Sequence, residues 1–352
     1  MTKSESKLVV GPDGNIVKYD DILPTTRTVI AITNLSIDIQ TFFKYMPITD
    51  YTPVEKRRGR KRRVQPPIHM EVLKSGSIVS MQYGDIIKGV SLKKKKYKKV
   101  PTQKKADDYF RHSVSCVMML DGNKQINIKV PTNGKLQMTG CKIDEHAIEA
   151  VTNLYKTMVE VEKWTNTKLF SKTDAEEELK VIYKVVMQNK DFKIGFRINR
   201  QNLDYFINTK TTFYSIFEAS TFTGNQIKIE INQLKNKTLL QMKYNYKTDT
   251  TIKEQISYEE YYKLLDEKDR EKERELEQEK KYLTFFVFST GSVVMSERET
   301  NMKDLFYEVV SILIKNRHEF EDLSYDRKLT KLKKKRTKIE VIPEEDCVDI
   351  EV

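Results

Sequence analysis

The sequence predicts an α+β fold built from two similar halves, in which antiparallel strands lead into a helix. Three observations predict it. A strand–turn–strand–helix pattern runs from about 110 to 162, and a similar pattern recurs from about 281. Within the strands of both copies, apolar and polar residues alternate with the period of two that a half-buried sheet requires.

The first copy is clearest in "VPTNGKLQMTGCK" at 130–142. Asn133 and Gly134 between alternating apolar residues are typical of a hairpin with a type I′ turn, in which both central residues have positive φ. The segment "KLQMT" after the turn alternates as a strand should. Apolar residues at helical spacing then predict a helix from about Asp144 to Glu162.

The second copy begins with "VFSTGSVVMS" at 287–296. When the two copies are aligned, Gly291 falls on Gly134 and Met295 falls on Met138. A helix is expected from about Asn301. The agreement indicates a duplicated strand–helix–sheet–helix unit. Upstream, 191–207 is weakly similar to the first strand and helix expected at 27–46.

The predicted organisation places most of the chain in the two halves and the charge runs outside them. It consists of a flexible leader at 1–26, a first repeat at 27–165 with basic insertions at about 52–66 and 91–106, a second repeat at 166–325 with a charged helical insertion at about 250–281, and a basic-then-acidic tail at 326–352. The insertion at 250–281 is expected to be solvated because it is rich in Glu and Lys at i,i+4 spacing.

The formal net charge of +12 is concentrated in a few basic runs. Such runs bind polyanions, so they favour nucleic acid as a partner, although a solvated loop or a localisation signal has the same composition. The two internal runs supply these basic patches: Lys56, Arg57, Arg58, Arg60, Lys61, Arg62, Arg63, Lys93, Lys94, Lys95, Lys96, Lys98 and Lys99.

Sequence motifs of enzymes and cofactor sites are absent. The chain has no GxxxxGK(S/T), HExxH, GxSxG or paired CxxC motif, so we expect neither catalysis nor a cofactor or metal. Three widely spaced cysteines favour a reducing compartment over a disulfide framework. No apolar run is long enough to span a membrane, and the N-terminus lacks a signal-peptide core, so no membrane association or secretion is expected.

The duplicated motif resembles the TATA-box-binding protein family. A strand, the pattern IFxSGKxVxTGAK and a helix, all occurring twice, are the hallmark of that family. "GKLQMTGCK" at 134–142 follows the pattern closely, whereas the second copy has Ser292 in place of the lysine and "SERE" in place of "TGAK". The resemblance covers about 27–163 and 190–320. The long Lys-rich insertions resemble versions carried by large double-stranded DNA viruses.

The resemblance implies two pseudo-symmetric repeats that form a curved antiparallel sheet, or saddle, with helices on its convex face. The implied function is that of a transcription initiation factor. It would contact AT-rich promoter DNA through the minor groove, bend it, and recruit a transcription factor IIB-like protein and RNA polymerase. It implies a monomer on DNA, and a location in the viral factory of the host cytoplasm, the nucleus or the virion.

Strand parity assigns the residues of the second copy to two faces. Val293 and Met295 should face the helices, whereas Phe288, Val294 and Ser296 should face outward. An outward Phe beside an outward Val is unusual on a solvated face and suits a minor-groove contact.

The resemblance also implies four apolar wedges, two per half, that insert between base steps. In the second half Phe222 and Phe288 match, and in the first half Phe110 and Pro131 take these positions. Proline is itself a known wedge residue, but it also ends strands because it lacks an N–H. A one-residue error in register would instead place Phe222 and Phe288 in the core.

The remaining positions expected on DNA are polar. Lys129, Gln137 and Thr139 make the first half more hydrophilic than the second. The family's base-contacting asparagines fall on Thr28 and near Lys193, neither of which is Asn, and this puts the usual TATA preference in question. Two further functions stay open, namely a non-specific architectural nucleic-acid binder on the same fold and a scaffold whose concave face binds protein.

Overall fold

The structure is a computed structural model. This structure describes residues 7–8, 18–51, 73–90, 112–173, 177–218, 220, 222–231, 238–297 and 302–324. The predicted wedge Phe110 and both internal basic runs lie outside the described residues, as does the tail from 325 onward.

The described residues form sixteen strands and seven α-helices. The strands are β1 (Lys7–Leu8), β2 (Thr26–Thr33), β3 (Leu35–Ile37), β4 (Ser77–Tyr83), β5 (Ile86–Gly89), β6 (Ser113–Leu120), β7 (Lys124–Pro131), β8 (Lys135–Thr139), β9 (Phe170–Lys172), β10 (Leu179–Lys193), β11 (Tyr214–Ile216), β12 (Gly224–Ile231), β13 (Thr238–Asn245), β14 (Thr250–Ser257), β15 (Lys281–Phe288) and β16 (Ser292–Glu297). The helices are α1 (Ile39–Tyr45), α2 (Asp144–Thr165), α3 (Arg200–Lys210), α4 (Tyr258–Leu264), α5 (Glu267–Gln278), α6 (Lys303–Lys315) and α7 (Arg317–Phe320). None of these helices is long and apolar enough to cross a membrane.

One large sheet organises the molecule, in the order β11-β12-β15-β16-β10-β2-β8-β7-β6-β4-β5. Neighbouring strands along this path are antiparallel. The predicted α+β class with a large antiparallel sheet is therefore confirmed. From the centre outward, β2 is followed by β8, β7, β6 and β4, and β10 is followed by β16, β15, β12 and β11.

Both central strands lead into a helix that is capped in the same way. Asp38 precedes α1 and accepts hydrogen bonds from the backbone N–H groups of Gln40 and Thr41. Asn199 precedes α3 and accepts from Gln201 and Asn202. Each cap satisfies N–H groups that a helix leaves without intrahelical partners.

A glycine in the turn of each hairpin, β7–β8 and β15–β16, lies against the end of a central strand, β2 or β10. Gly134 has φ +67° and accepts a hydrogen bond from Thr33 N at 3.2 Å. Gly291 has φ +78° and accepts from Ile194 N at 3.0 Å. Asn133 is not among the residues with positive φ, so the predicted type I′ turn is wrong: the three-residue connection between β7 and β8 needs the left-handed conformation only at Gly134.

Helices α1, α2, α3 and α6 pack on one face of the sheet and form two buried clusters. Residues of α1 and α2 join those of β2, β6, β7 and β8 in the first cluster. Residues of α3 and α6 join those of β10, β12, β15 and β16 in the second. The helix predicted from Asp144 spans Asp144–Thr165, and it ends at Asn166, whose φ of 49° is typical of a helix C-terminus.

Three predicted segments differ from the structure. The leader was expected to be flexible up to residue 26, but Tyr19 and Ile22 are buried in the second cluster. The central strand of the second half was expected from about 191, yet β10 begins earlier, at Leu179. The insertion expected to be helical from about 250 begins with strand Thr250–Ser257.

The close approach at Gly291 predicts a large loss of stability for Gly291→Ala. A Cβ there would lie 2.0 Å from Phe196 O, so left-handed strain of about 1–2 kcal/mol adds to overpacking of about 1–3 kcal/mol. Gly122→Ala is the matched control, because Gly122 also has positive φ but has nothing within 4 Å of the added atom. Urea denaturation measures both variants, and equal losses would contradict the proposed contact.

Candidate nucleic-acid interface

The large sheet has one face that the four helices α1, α2, α3 and α6 do not cover, and we call it the open face. Its residues follow from the alternation along each strand. In β8, Leu136 and Met138 are buried, whereas Lys135, Gln137 and Thr139 are partly exposed. The same alternation in β7 and β15 places the intervening side chains on the open face.

The predicted side-chain directions in the second half are confirmed. Val293 and Met295 are buried in the second cluster. Phe288, Val294 and Ser296 are partly exposed on the open face. A one-residue register error is thereby excluded for β15 and β16, while the DNA-contacting role of these residues stays a prediction.

Three phenylalanines form an aromatic cluster at one end of the open face. The ring centroid of Phe222 lies 5.5 Å from that of Phe286 and 5.8 Å from that of Phe288. Gly224 pairs with Phe288 in the neighbouring strand, and a Cβ on it would lie 3.0 Å from Phe222 Cε1. The phenylalanine cluster therefore packs against the backbone of Gly224, which has no side chain.

Phe286 was not among the predicted residues, although the sequence contains the signal that identifies it. In "FFVF" it stands two positions before Phe288 and so has the same strand parity. It also pairs with Val294 of β16, which extends the apolar area toward the centre of the sheet.

Pro131 occupies the corresponding position of the first half. It is the last residue of β7 and pairs with Ser113 of β6. Phe288 is likewise the last residue of β15 and pairs with Gly224 of β12. Pro131 is partly exposed on the open face, so its position fits both a strand end and a wedge.

The strand pairing corrects the predicted asparagine position in the second half. Thr28 pairs with Thr139, and the residue that pairs with the matching Ser296 is Asn189. Lys193, which was predicted for this role, instead pairs with Ser292 beside the turn. The prediction began the strand too late, so it missed that an asparagine does stand at the centre of the open face.

Thr28 and Asn189 differ in what they present. Thr28 is 7% exposed, so its side chain offers little surface. Asn189 is partly exposed, and its Oδ1 is buried with no hydrogen-bond partner among the described residues. The position that the family resemblance assigns to base contact thus carries an amide in one half and a nearly buried hydroxyl in the other.

Lysines give the open face a positive character. Lys129 and Lys135 belong to the first half, and Lys184 and Lys228 to the second. Lys228 Nζ lies 5.7 Å from the centroid of the Tyr282 ring, which keeps its ammonium group over an aromatic surface. Lysines beside apolar residues suit a ligand with anionic edges and an apolar interior.

A buried polar cluster lies beneath Asn189 on the helix side. The Glu297 carboxylate accepts hydrogen bonds from Tyr19 Oη, at 3.1 and 3.0 Å, and from Gln188 Nε2. Burial raises the pKa of Glu297 and lowers the pKa of Lys190, whose Nζ lies 3.3 Å from the Tyr19 ring centroid. The cluster fixes the leader against β10 and β16, so its role is structural.

The charged insertion lies over the open face, which the prediction of a solvated helix did not anticipate. Asp269 and Glu273 of α5 form ion pairs with Lys135 and Lys184 of the sheet. A cavity of about 760 Å³ separates α5 from the strands. It is lined on the sheet side by Ile30, Ile32, Lys135, Lys184, Val185, Val186, Met187, Lys228, Tyr282, Thr284 and Ser296.

The two faces of the sheet predict different losses of stability when a phenylalanine of β15 is truncated to alanine. Phe285 is fully buried, so Phe285→Ala should lower the free energy of unfolding by about 3–5 kcal/mol. Phe288 is partly exposed against Phe222, so Phe288→Ala should cost clearly less than Phe285→Ala, because part of its ring is already in contact with solvent. Urea denaturation of the two variants compares them. A loss at 288 as large as that at 285 would place Phe288 in the core.

Comparison with known proteins adds independent information. No family model matches the chain. The chain is 31% identical over 144 residues to a protein described as TATA-box-binding protein-like from Acanthamoeba polyphaga mimivirus. The match covers 38% of this chain and 37% of that protein, so the chain spans little more than a third of its relative's length. This similarity confirms the predicted resemblance to a diverged, viral form of the TATA-box-binding protein family.

Proposed function

We propose that this protein is a DNA-binding transcription initiation factor similar to TATA-box-binding protein, which grips the minor groove with its open face and bends the duplex. The aromatic cluster of Phe222, Phe286 and Phe288, on a sheet face that also carries lysines, carries the proposal. The matching strand orders on either side of β2 and β10 support two pseudo-symmetric repeats. In this proposal the open face is the concave side of a saddle.

The cluster suits insertion between base steps. Minor-groove proteins, of which TATA-box-binding protein is a known example, insert apolar side chains at a cost of about a few kcal/mol per unstacked step, offset by the surface that the bent duplex covers. Phe288 is partly exposed and backed by Phe222 rather than by solvent. A ring held in this way loses little further conformational freedom on binding.

The polar centre of the open face supplies contacts to base edges. The minor groove of A·T pairs presents acceptors only, whereas G·C adds an amino donor. The Asn189 amide donates to such acceptors, and Gln137 and Thr139 add donors in the first half. Because Thr28 is nearly buried, we propose that the second half reads base edges more strongly than the first.

The remaining parts of the proposal concern phosphates and partners. The basic patches would contact phosphates and release counterions, which makes binding sensitive to salt. A transcription factor IIB-like protein and RNA polymerase would join the bent promoter, with the factor acting as a monomer without a cofactor or catalysis. The viral factory or the host nucleus is the proposed location.

Equilibrium binding to matched AT-rich and GC-rich duplexes over a salt series tests this function. We expect tighter binding to the AT-rich duplex at every salt concentration, together with a steep salt slope from the phosphate contacts. Asn189→Ala should reduce the AT preference, whereas the off-face variant Tyr205→Ala should leave it unchanged. Tyr205 is 69% exposed on α3, which packs against the helix-covered face.

The same titration distinguishes the second candidate function. The lysines of the open face favour a non-specific architectural binder, and so does the presence of Thr28 where the family has an asparagine. Equal affinity for both duplexes with the same steep salt slope would support that role and contradict a promoter factor. No binding at low salt would contradict both and leave a protein-binding scaffold.

The wedge role predicts a selective effect on DNA shape. Phe288→Ala should decrease the bend of a bound AT-rich duplex, read as a longer end-to-end distance between two fluorophores on the DNA, because one ring no longer enters a base step. Tyr205→Ala removes an exposed aromatic ring elsewhere and should leave the bend unchanged. An unchanged bend in Phe288→Ala, with the protein still folded and bound, would remove Phe288 from the wedge set.

A further inference from the structure

Helix α5 occupies part of the face that the proposed function assigns to DNA. Its Asp269 pairs with Lys135 of β8, and its Glu273 pairs with Lys184 of β10. Glu273 is 9% exposed and also accepts a hydrogen bond from Tyr258 Oη at 2.8 Å. Two lysines near the centre of the open face are therefore neutralised by carboxylates from the same chain.

The segment before α5 is held by apolar packing. Tyr261 of α4 and Leu265, which directly follows that helix, are buried with Ile182, Leu239 and Ile256 in a third cluster. Ile182 belongs to the long central strand β10, so α4 is anchored on the sheet itself. The end of the insertion's first helix is therefore fixed on the sheet, and α5 extends over the open face from there.

Helix α5 itself is held differently, because charges rather than packing join it to the sheet. A cavity of about 760 Å³ lies between the helix and the strands. Leu276, an apolar residue of α5 that borders this cavity, is still 43% exposed. Lifting α5 would return Lys135 and Lys184 to solvent or to another anion.

The cavity under α5 includes a residue that is expected to meet the minor groove. Ser296, predicted as a DNA contact, lines the cavity together with Ile30 and Thr284. A duplex lying along the open face would need the volume that α5 borders. A carboxylate pairs with a lysine ammonium as a phosphate oxygen does, so Asp269 and Glu273 present to the sheet the charge that a DNA backbone would present.

We propose that α5 is an internal acidic competitor for DNA: it covers the centre of the open face in the DNA-free protein and must leave it when a duplex binds. The inference rests on the proposed function, since it concerns the same face. Apparent affinity falls in proportion to the population of the open form, so a closed fraction of about nine tenths weakens binding about tenfold.

The test compares two variants that remove equal charge from the same helix. Asp269→Asn with Glu273→Gln removes both carboxylates that pair with the sheet. Glu267→Gln with Glu271→Gln removes two exposed carboxylates of α5, one of them likewise in its first turn. Any general gain from the lower negative charge appears in both, so only the difference between them reports the release of α5.

Binding of an AT-rich duplex at fixed salt gives the first readout. We expect the paired-residue variant to bind about tenfold tighter than the wild type, and the control variant to stay close to the wild type. If both variants shift equally, or if the paired-residue variant binds more weakly, α5 is not a competitor. Binding by none of the three proteins would overturn the proposed function and this inference with it, which distinguishes that failure from the first.

Amide hydrogen exchange gives a readout that does not depend on affinity. In the wild type, exchange in α5 (Glu267–Gln278) should rise when the AT-rich duplex is added, and the paired-residue variant should show the raised exchange without DNA. Helix α2, which packs on the helix-covered side of the sheet, should be unaffected in both. If DNA instead protects α5, the helix is part of the bound interface, and the inference is wrong.

Discussion

The antiparallel pairing of β2 with β10 holds the two halves of the sheet together. It joins two sets of strands into one sheet and therefore creates one continuous open face rather than two separate ones. It also brings Thr28 and Asn189 to the centre of that face, beside Thr139 and Ser296. A register shift between Val185 and Met187 keeps both segments of β10 paired while changing which side chains point outward.

The two halves share a backbone plan but present different chemistry to a ligand. The second half has three clustered phenylalanines and an asparagine, whereas the first has Pro131, a nearly buried Thr28 and more polar neighbours. Apolar side chains favour an unstacked base step, and lysine and glutamine favour edges and phosphates. A duplex bound to this face would accordingly be gripped unequally, with the deeper apolar contact in the second half.

The insertion between β12 and β15 uses the same electrostatics that would serve DNA. Its hairpin and α4 are anchored by buried aromatic and aliphatic residues, but α5 reaches the face through carboxylate–lysine pairs above a cavity. A competing anion such as a phosphate can take the place of the carboxylate in a pair of this kind and restore the charge interaction. The packed residues therefore hold the hairpin and α4 in a fixed position, whereas α5, which is held by ion pairs, forms a cover that can be displaced.

Local sequence patterns predict four features: the class of fold, the hairpin glycines Gly134 and Gly291, helix α2, and the outward direction of Phe288, Val294 and Ser296. Alternation and helical spacing specify which side chains share a face, and these periods are visible in one chain. Three further features emerge in the folded chain: the equivalence of Asn189 with Thr28, the burial of Tyr19, and the position of α5 over the sheet. The reason is physical, because strand register and ion pairs between distant segments depend on which strands become neighbours, and no local period records that choice.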